Sequence, residues 1–81
     1  MKLNIKLFAG LTCSNPDLTC VGQSDFYLEV AEPLTILGLR TILGINPAIP
    51  LLCMVNHRHE QEDRVLADND RVAMFPPIGG G

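Results

Sequence analysis

The residues best suited to chemistry stand at the end of the chain, where Gly79, Gly80 and Gly81 follow Phe75 across a short junction. A carboxylate on Gly81 would sit on an unbranched residue, which leaves its carbonyl carbon open to attack. Glycine loses more backbone entropy on ordering than any other residue, so an exposed triple glycine is expected to move freely and to stabilise nothing nearby. The tail therefore predicts a reactive end that is presented to another protein.

The junction is made of Pro76, Pro77 and Ile78. Proline has no backbone N–H to give to a sheet and holds φ near −65°, so a strand that reaches Pro76 should leave the sheet as an extended arm. Six residues follow Phe75, and an extended chain of that length reaches roughly 20 Å. We therefore divide the chain into a folded domain over residues 1–75 and a flexible tail over residues 76–81.

The stretch from Asp70 to Gly81, D-R-V-A-M-F-P-P-I-G-G-G, resembles the end of the small, sulfur-carrying subunit of molybdopterin synthase. That family closes on the pattern D-x-V-A-x-F-P-P-V-x-G-G, so Gly80 and Gly81 fall on its terminal diglycine and Gly79 on its variable position. The resemblance implies that an adenylyltransferase activates the Gly81 carboxylate with ATP, and that sulfur from a persulfide donor then displaces AMP to leave a thiocarboxylate. It also implies that the large subunit supplies the substrate pocket and the catalytic basic residues. The chain itself would be a sulfur-donating subunit in molybdenum cofactor biosynthesis, without a bound cofactor.

Two other functions stay open. A sulfur carrier for thiamine or for a tungsten cofactor would use the same tail chemistry with a different acceptor, although thiamine carriers usually lack the proline pair. A ubiquitin-like modifier would instead join Gly81 to lysines of target proteins through an isopeptide bond.

The length and composition of the chain limit which functions are possible. Eighty-one residues suit one domain and are too few for a cleft between two lobes, which disfavours an independent enzyme. Because 47% of the residues are hydrophobic, some apolar surface should face a partner. A net charge of −3 without a Lys/Arg cluster argues against nucleic acid and favours a basic partner surface.

The start of the chain and its cysteines indicate a cytoplasmic protein. Residues 1–6 alternate instead of forming an apolar run, so they predict neither a signal peptide nor a membrane span. Cys13, Cys20 and Cys53 are odd in number and lack C-x-x-C spacing, which favours reduced thiols over a Cys13–Cys20 bridge. We read Cys53 as a small buried apolar residue because no base is close to it in sequence.

Alternating apolar residues predict a first strand that ends before Gly10 and a second over residues 24–31, paired antiparallel to it. Phe8 falls on the polar side of the first strand. Residues 11–22 have no clean period and predict a loop with at most a helical turn.

A short helix should follow. Thr35 has the side chain of an N-cap, Ile36, Leu39 and Leu43 line one face, and Gly44 is a typical C-terminal stop. The predicted helix has about nine residues and should depend on packing against the sheet.

The last third of the domain predicts two more strands. Residues 51–55 are almost wholly apolar, which indicates a strand interior to the sheet or covered on both faces, and Asn56-His57 turns the chain after it. Residues 65–67 predict a short edge strand or an irregular segment within a polar stretch. Residues 68–70 form a turn in which Asn69 can adopt positive φ, and the final strand covers Arg71–Phe75. Arg71 could also meet a carboxylate of a partner.

This order of elements, ββαββ, resembles the ubiquitin-like β-grasp fold, an α+β fold in which one helix packs across one face of a mixed sheet. In that fold the first and last strands are parallel neighbours at the centre. Phe8 and Phe75 would then meet on the face away from the helix and form a partner-docking surface with Ala73. We expect one or more of Leu52, Met54 and Tyr27 to extend this surface. If the strand register were shifted by one residue, both phenylalanines would instead be ordinary core residues.

A metal site can be imagined where His57 and His59 stand near Glu60 and Glu62. This short stretch offers too few convergent ligands for a closed site, so we predict solvated histidines and no bound metal.

Overall fold

The computed structural model describes residues 1–77, and in them a five-stranded mixed sheet packs against one helix. The elements in chain order are β1 (Lys2–Leu7), β2 (Asp25–Glu29), α1 (Ile36–Ile42), β3 (Leu52–Val55), β4 (Arg58–Glu60) and β5 (Arg71–Phe75). The first and last strands are parallel neighbours in the sheet order β2-β1-β5-β3-β4, and the other neighbouring strands are antiparallel. This is the predicted α+β arrangement.

The predicted pattern ββαββ is wrong by one strand, because β4 pairs antiparallel with β3 at the edge of the sheet. Asn56 and His57 both have positive φ, 53° and 71°. This is the conformation of a two-residue hairpin turn, which sends the chain straight back along β3. A polar segment can then form an edge strand without apolar side chains. Residues 65–67 form the irregular segment and not the edge strand, with an isolated bridge between Val65 and Thr35.

The core lies between the sheet and the helix, on the face that the alternation predicts. Side chains of the three central strands and of the helix are fully or almost fully buried there, including Leu3, Ile5, Val55, Val72, Met74, Ile36, Leu39 and Leu43. The central strand β3 is interior to the sheet, since it lies between β5 and β4. It is not covered on its other face, where Leu52 remains 39% exposed.

Helix α1 begins as predicted at Thr35, whose hydroxyl oxygen accepts a hydrogen bond from the backbone N–H of Gly38 at 3.1 Å. It covers seven residues, two fewer than expected, because Leu43 is already the C-cap. Gly44 follows with φ of +73°, the left-handed conformation that ends many helices. None of the helices described is long and apolar enough to cross a membrane.

The loop over residues 11–22 is irregular, as the sequence predicts, and it holds the end of the helix. The side-chain amide of Asn15 donates to the carbonyl of Ile42 at 2.7 Å, and the backbone N–H of Ser14 donates to the carbonyl of Leu43 at 2.8 Å. These bonds satisfy carbonyls that a helix end leaves without partners. Cys13 and Cys20 are buried beside each other as free thiols, with their sulfur atoms 2.8 Å apart.

The turn before β5 is held by Asp70, which is only 5% exposed. Its carboxylate accepts hydrogen bonds from the Asn56 side chain and from the backbone N–H of Ala67, both at 2.8 Å. Asn69 has the positive φ that its residue type predicts, 68°. Because Asn56 in turn accepts from the backbone N–H of Arg71 at 3.0 Å, this network fixes the start of β5 against the β3–β4 hairpin.

Candidate functional site

Two phenylalanines meet on the open face of the sheet, which is the face away from the helix. The rings of Phe8 and Phe75 are 6.3 Å apart between centroids and nearly perpendicular, at 85°. They meet because β1 and β5 are parallel and in register, with Leu7 beside Met74 and the backbone N–H of Phe8 donating to the Met74 carbonyl at 3.0 Å. Phe8 is 47% exposed, so the alternative that both phenylalanines are core residues is wrong.

The two rings stand over a groove with a volume of about 750 Å³. Ala73 and Met54 contribute to its apolar wall, as the docking prediction requires. Leu52 lies in register with Phe75, whereas Tyr27 lies away from the groove in a smaller hollow of about 200 Å³. The groove is lined by Asn4, Lys6, Phe8, Ala9, Met54, His57, Arg71, Val72, Ala73 and Phe75.

Sequence reasoning did not place the three basic groove residues, namely Lys6, Arg71 and His57, on the docking surface, although it allowed Arg71 a carboxylate of a partner. A signal for the first two was present, because Lys6 precedes Phe8 by two residues and Arg71 stands two before Ala73. Strand alternation places such residues on one face. His57 lines the groove because it lies in the tight turn after β3. The sequence predicted this turn but not the direction of its side chains.

Two arginines on the helix side of the sheet form ion pairs. A guanidinium nitrogen of Arg40 lies 3.4 Å from the carboxylate of Glu62, and Arg64 lies 3.3 Å from Glu60 and 3.5 Å from Asp70. Arg40 is buried and also donates to the carbonyls of two residues after the helix, Asn46 and Ile49. The contacts of Arg40 join the helix to the segment that precedes β3 and to Glu62, which follows β4.

Within residues 1–77 there is no group of three or more His, Cys, Asp or Glu side chains that could hold a metal ion. Cys53 is buried as predicted, and burial, together with the nearby charge of Glu62, raises the pKa of its thiol. Since the thiolate is the nucleophilic form of cysteine, a raised pKa makes Cys53 unreactive at neutral pH. Cys53 does not line the groove.

The chain leaves the sheet next to this groove. Pro76 is half-buried and exposed Pro77 follows it, directly after Phe75 at the end of β5. Ile78, Gly79, Gly80 and Gly81 lie outside the described residues, so their predicted roles stay predictions, as do the docking roles of Phe8, Ala73 and Phe75.

Comparison with known proteins decides the family. The sequence profile of the ThiS family matches residues 15–81. The chain belongs to the ThiS family. Membership makes it a sulfur carrier with a ubiquitin-like fold. A search of curated protein sequences gave no match.

Solved structures confirm the β-grasp fold of this ThiS-family chain. The small archaeal modifier protein 1 of Haloferax volcanii matches with a TM-score of 0.65 and 23% identity, over 95% of this chain and 98% of that one. A putative subunit 1 of the molybdopterin converting factor from Pyrococcus furiosus matches with a TM-score of 0.64 and 22% identity, over 96% and 99%. A chain in the complex of subunits 1 and 2 of the molybdopterin-converting factor from Helicobacter pylori 26695 matches with a TM-score of 0.59 and 18% identity, over 100% of both chains.

Proposed function

We propose that this ThiS-family protein is the small subunit of a molybdopterin synthase and that its Gly81 carries sulfur as a thiocarboxylate. The observation that carries the proposal is the geometry around Phe75. This residue ends a central strand, lines the groove on the open face and is followed at once by Pro76 and Pro77. A partner that covers the groove therefore also receives the start of the arm.

The large subunit is the partner that we propose for the groove. Two of the matching folds are subunits of a molybdopterin converting factor, one of them in a complex with subunit 2. The Phe-Pro-Pro junction and the diglycine resemble the same family. The proposal includes two further partners, an adenylyltransferase and a persulfide sulfur donor, and it places the protein in the cytoplasm without a membrane or nucleic-acid partner.

The tail chemistry requires Gly81 to be the carboxyl terminus of the working protein. An ionised carboxylate is a poor acylating group. ATP on the adenylyltransferase would convert one carboxylate oxygen into an AMP leaving group, with release of pyrophosphate. The terminal sulfur of the donor's persulfide then attacks the carbonyl carbon and AMP departs. A thiol cleaves the resulting acyl disulfide and leaves the thiocarboxylate, so the chain serves as cosubstrate and needs no bound cofactor.

Intact mass of the chain purified from its native cell tests this proposal. We expect a species in which one oxygen is exchanged for sulfur, and a molybdopterin-synthase large subunit in the co-purified fraction. Deletion of Gly81 should abolish the sulfur-containing species without changing thermal unfolding. Substitution of Gly79 by Ala is the matched control, because Gly79 occupies the variable position of the family pattern and its substitution should leave sulfur uptake intact. Sulfur uptake at the normal rate by a variant that ends at Gly80 would refute the proposal.

A second candidate is a ubiquitin-like modifier that is joined to lysines through Gly81. The structural match to a protein described as a small archaeal modifier, at a TM-score of 0.65, supports this second function. Conjugates would appear in the same experiment as higher-mass lysine adducts that vanish when Gly81 is deleted. A thiamine or tungsten-cofactor carrier would show the thiocarboxylate but co-purify with a different acceptor.

A further inference from the structure

The positive charges of the chain are unevenly distributed over its surface. Of the six Lys and Arg residues, two are held in the ion pairs on the helix side of the sheet. The other four, which have no ion pair within residues 1–77, are Lys2, Lys6, Arg58 and Arg71. Three of these, Lys2, Lys6 and Arg71, lie on the open face with the phenylalanines.

These three cations line two hollows that adjoin each other. Lys6 and Arg71 line the groove, and Lys2 and Arg71 line the smaller hollow, with Asn4 shared between the two. No Asp or Glu of the described residues lines either hollow. The lining of these two hollows is therefore basic although the whole chain has a net charge of −3.

Arg71 differs from the two lysines in its neighbours. In the β1–β2 register Lys2 faces Glu29 and Lys6 faces Asp25, so each lysine has an acidic side chain on the same face. Arg71 faces Asn4 on β1. On its other side it is bonded to Asn56, whose backbone N–H donates to the Arg71 carbonyl at 2.9 Å. Arg71 thus stands between two neutral residues, and its exposed guanidinium has no carboxylate partner in residues 1–77.

We propose that the partner which covers the groove presents a carboxylate to Arg71, beside apolar side chains that cover Phe8 and Phe75. The inference rests on the proposed function, since it concerns the docking surface of the large subunit. It replaces the expectation of a basic partner, which was drawn from net charge. Net charge sums the whole surface, whereas a docked partner meets only the charges at the contact.

The chemistry of arginine suits such a contact. Its planar guanidinium can bind a carboxylate through two parallel N–H···O bonds, which gives orientation as well as attraction. A partner that covers the apolar groove also excludes water from the edge where Arg71 lies. Coulomb attraction grows as the local dielectric constant falls, so the contact strengthens once the groove is covered.

Binding of the complete chain to the co-purified large subunit, measured by calorimetry, tests the proposal. Arg71→Gln should weaken binding by about 3- to 10-fold and Arg71→Glu by more, since a reversed charge repels the carboxylate. Arg58→Glu is the matched control. Arg58 is exposed and lies in register with buried Val55, which places it on the helix side of the sheet, so the dissociation constant should stay within about twofold.

Salt gives a second readout that a purely structural effect would not change. Raising the ionic strength from about 0.05 to about 0.5 M should weaken the native complex, and the dependence should be flatter for Arg71→Gln. Thermal unfolding of each free variant serves to show that the fold is kept.

The outcomes separate the two proposals. If Arg71→Glu binds as tightly as the native chain, or tighter, while Phe75→Ala loses binding, the acidic contact is refuted and the proposed function stands. If the native chain does not bind the large subunit at all, both are refuted.

Discussion

Replacing Phe8 by alanine should weaken docking at least as much as it weakens the fold. The ring is 47% exposed, and its aromatic contact is the edge-to-face pair with Phe75 at 6.3 Å. The backbone bond from Phe8 to the Met74 carbonyl does not involve the ring, so alanine keeps it. The substitution therefore removes apolar surface without removing a strand contact.

The expected loss of stability follows from these contacts. An aromatic pair contributes about 0.5 to 1.5 kcal/mol, and a half-exposed ring loses only about 1 kcal/mol of burial. We therefore expect the free energy of unfolding to fall by about 1.5 to 2.5 kcal/mol. Leu39→Ala gives the scale for a core residue, because Leu39 is 0% exposed on the helix and its truncation should cost about 2 to 5 kcal/mol.

The expected loss of affinity is at least as large, because a partner would bury the exposed half of the ring in the centre of the contact. Truncation of an aromatic residue at such a position costs about 2 kcal/mol or more, which is about 30-fold in the dissociation constant. Calorimetry with the large subunit measures the affinity, and urea denaturation measures the stability. Leu37→Ala is the matched control, since Leu37 is 50% exposed but lies on the helix, and it should leave the dissociation constant within about twofold.

Two results would contradict this reasoning. A stability loss as large as that of Leu39→Ala would mean that the Phe8 ring belongs to the core. An unchanged dissociation constant with a folded variant would mean that the groove is not the docking surface.

Two further predictions concern stability. Gly44→Ala should cost more than Gly10→Ala, although both glycines have positive φ, +73° and +83°. A Cβ at Gly44 would lie 3.2 Å from the backbone carbonyl carbon of Ser14, whereas one at Gly10 meets nothing within 4 Å. Gly10→Ala should therefore lose only the conformational cost of about 1 to 2 kcal/mol, and equal losses in urea denaturation would contradict this explanation. Burial and the hydrogen bond with Cys13 raise the pKa of Cys20 from 9.0 to about 11. Between pH 9 and pH 11 the Cys20 thiol therefore loses its proton more readily in the unfolded chain than in the folded one, and the folded state loses stability. This loss of stability should reach about 2 to 3 kcal/mol, and Cys20→Ala should not show it. Urea denaturation from about pH 8 to about pH 10.5 should therefore show the difference in stability between the native chain and Cys20→Ala becoming smaller. A difference that stays constant would show that the pKa of Cys20 is unshifted.

Much of the fold could be predicted because strand alternation and helix caps are local signals. Leu3 and Ile5 point to the core, Thr35 caps the helix and Gly44 ends it. The edge strand β4 was missed because Arg58–Glu60 carries no apolar alternation. Its existence depends on the turn before it, where Asn56 and His57 both adopt a positive φ, which is uncommon for residues other than glycine.

The candidate site could be predicted as far as the register of the strands could be predicted. Pairing of the first and last strands brings Phe8 to Phe75, and the same alternation places Lys6 and Arg71 on that face. The sign of the partner's charge was not predictable from composition. It depends on which cations have carboxylates beside them, and those contacts exist only after β1, β2 and β5 are aligned.

The position of β5 constrains where the partner can hold its catalytic residues. This strand is hydrogen-bonded to β1 on one side and β3 on the other, so Phe75 has a fixed place in the sheet. A partner seated on Phe8 and Phe75 therefore also fixes the starting point of the arm. Six residues follow Phe75, and an extended chain of that length spans roughly 20 Å. In the proposed complex, the large subunit's reactive site must accordingly lie within about that distance of its own docking surface.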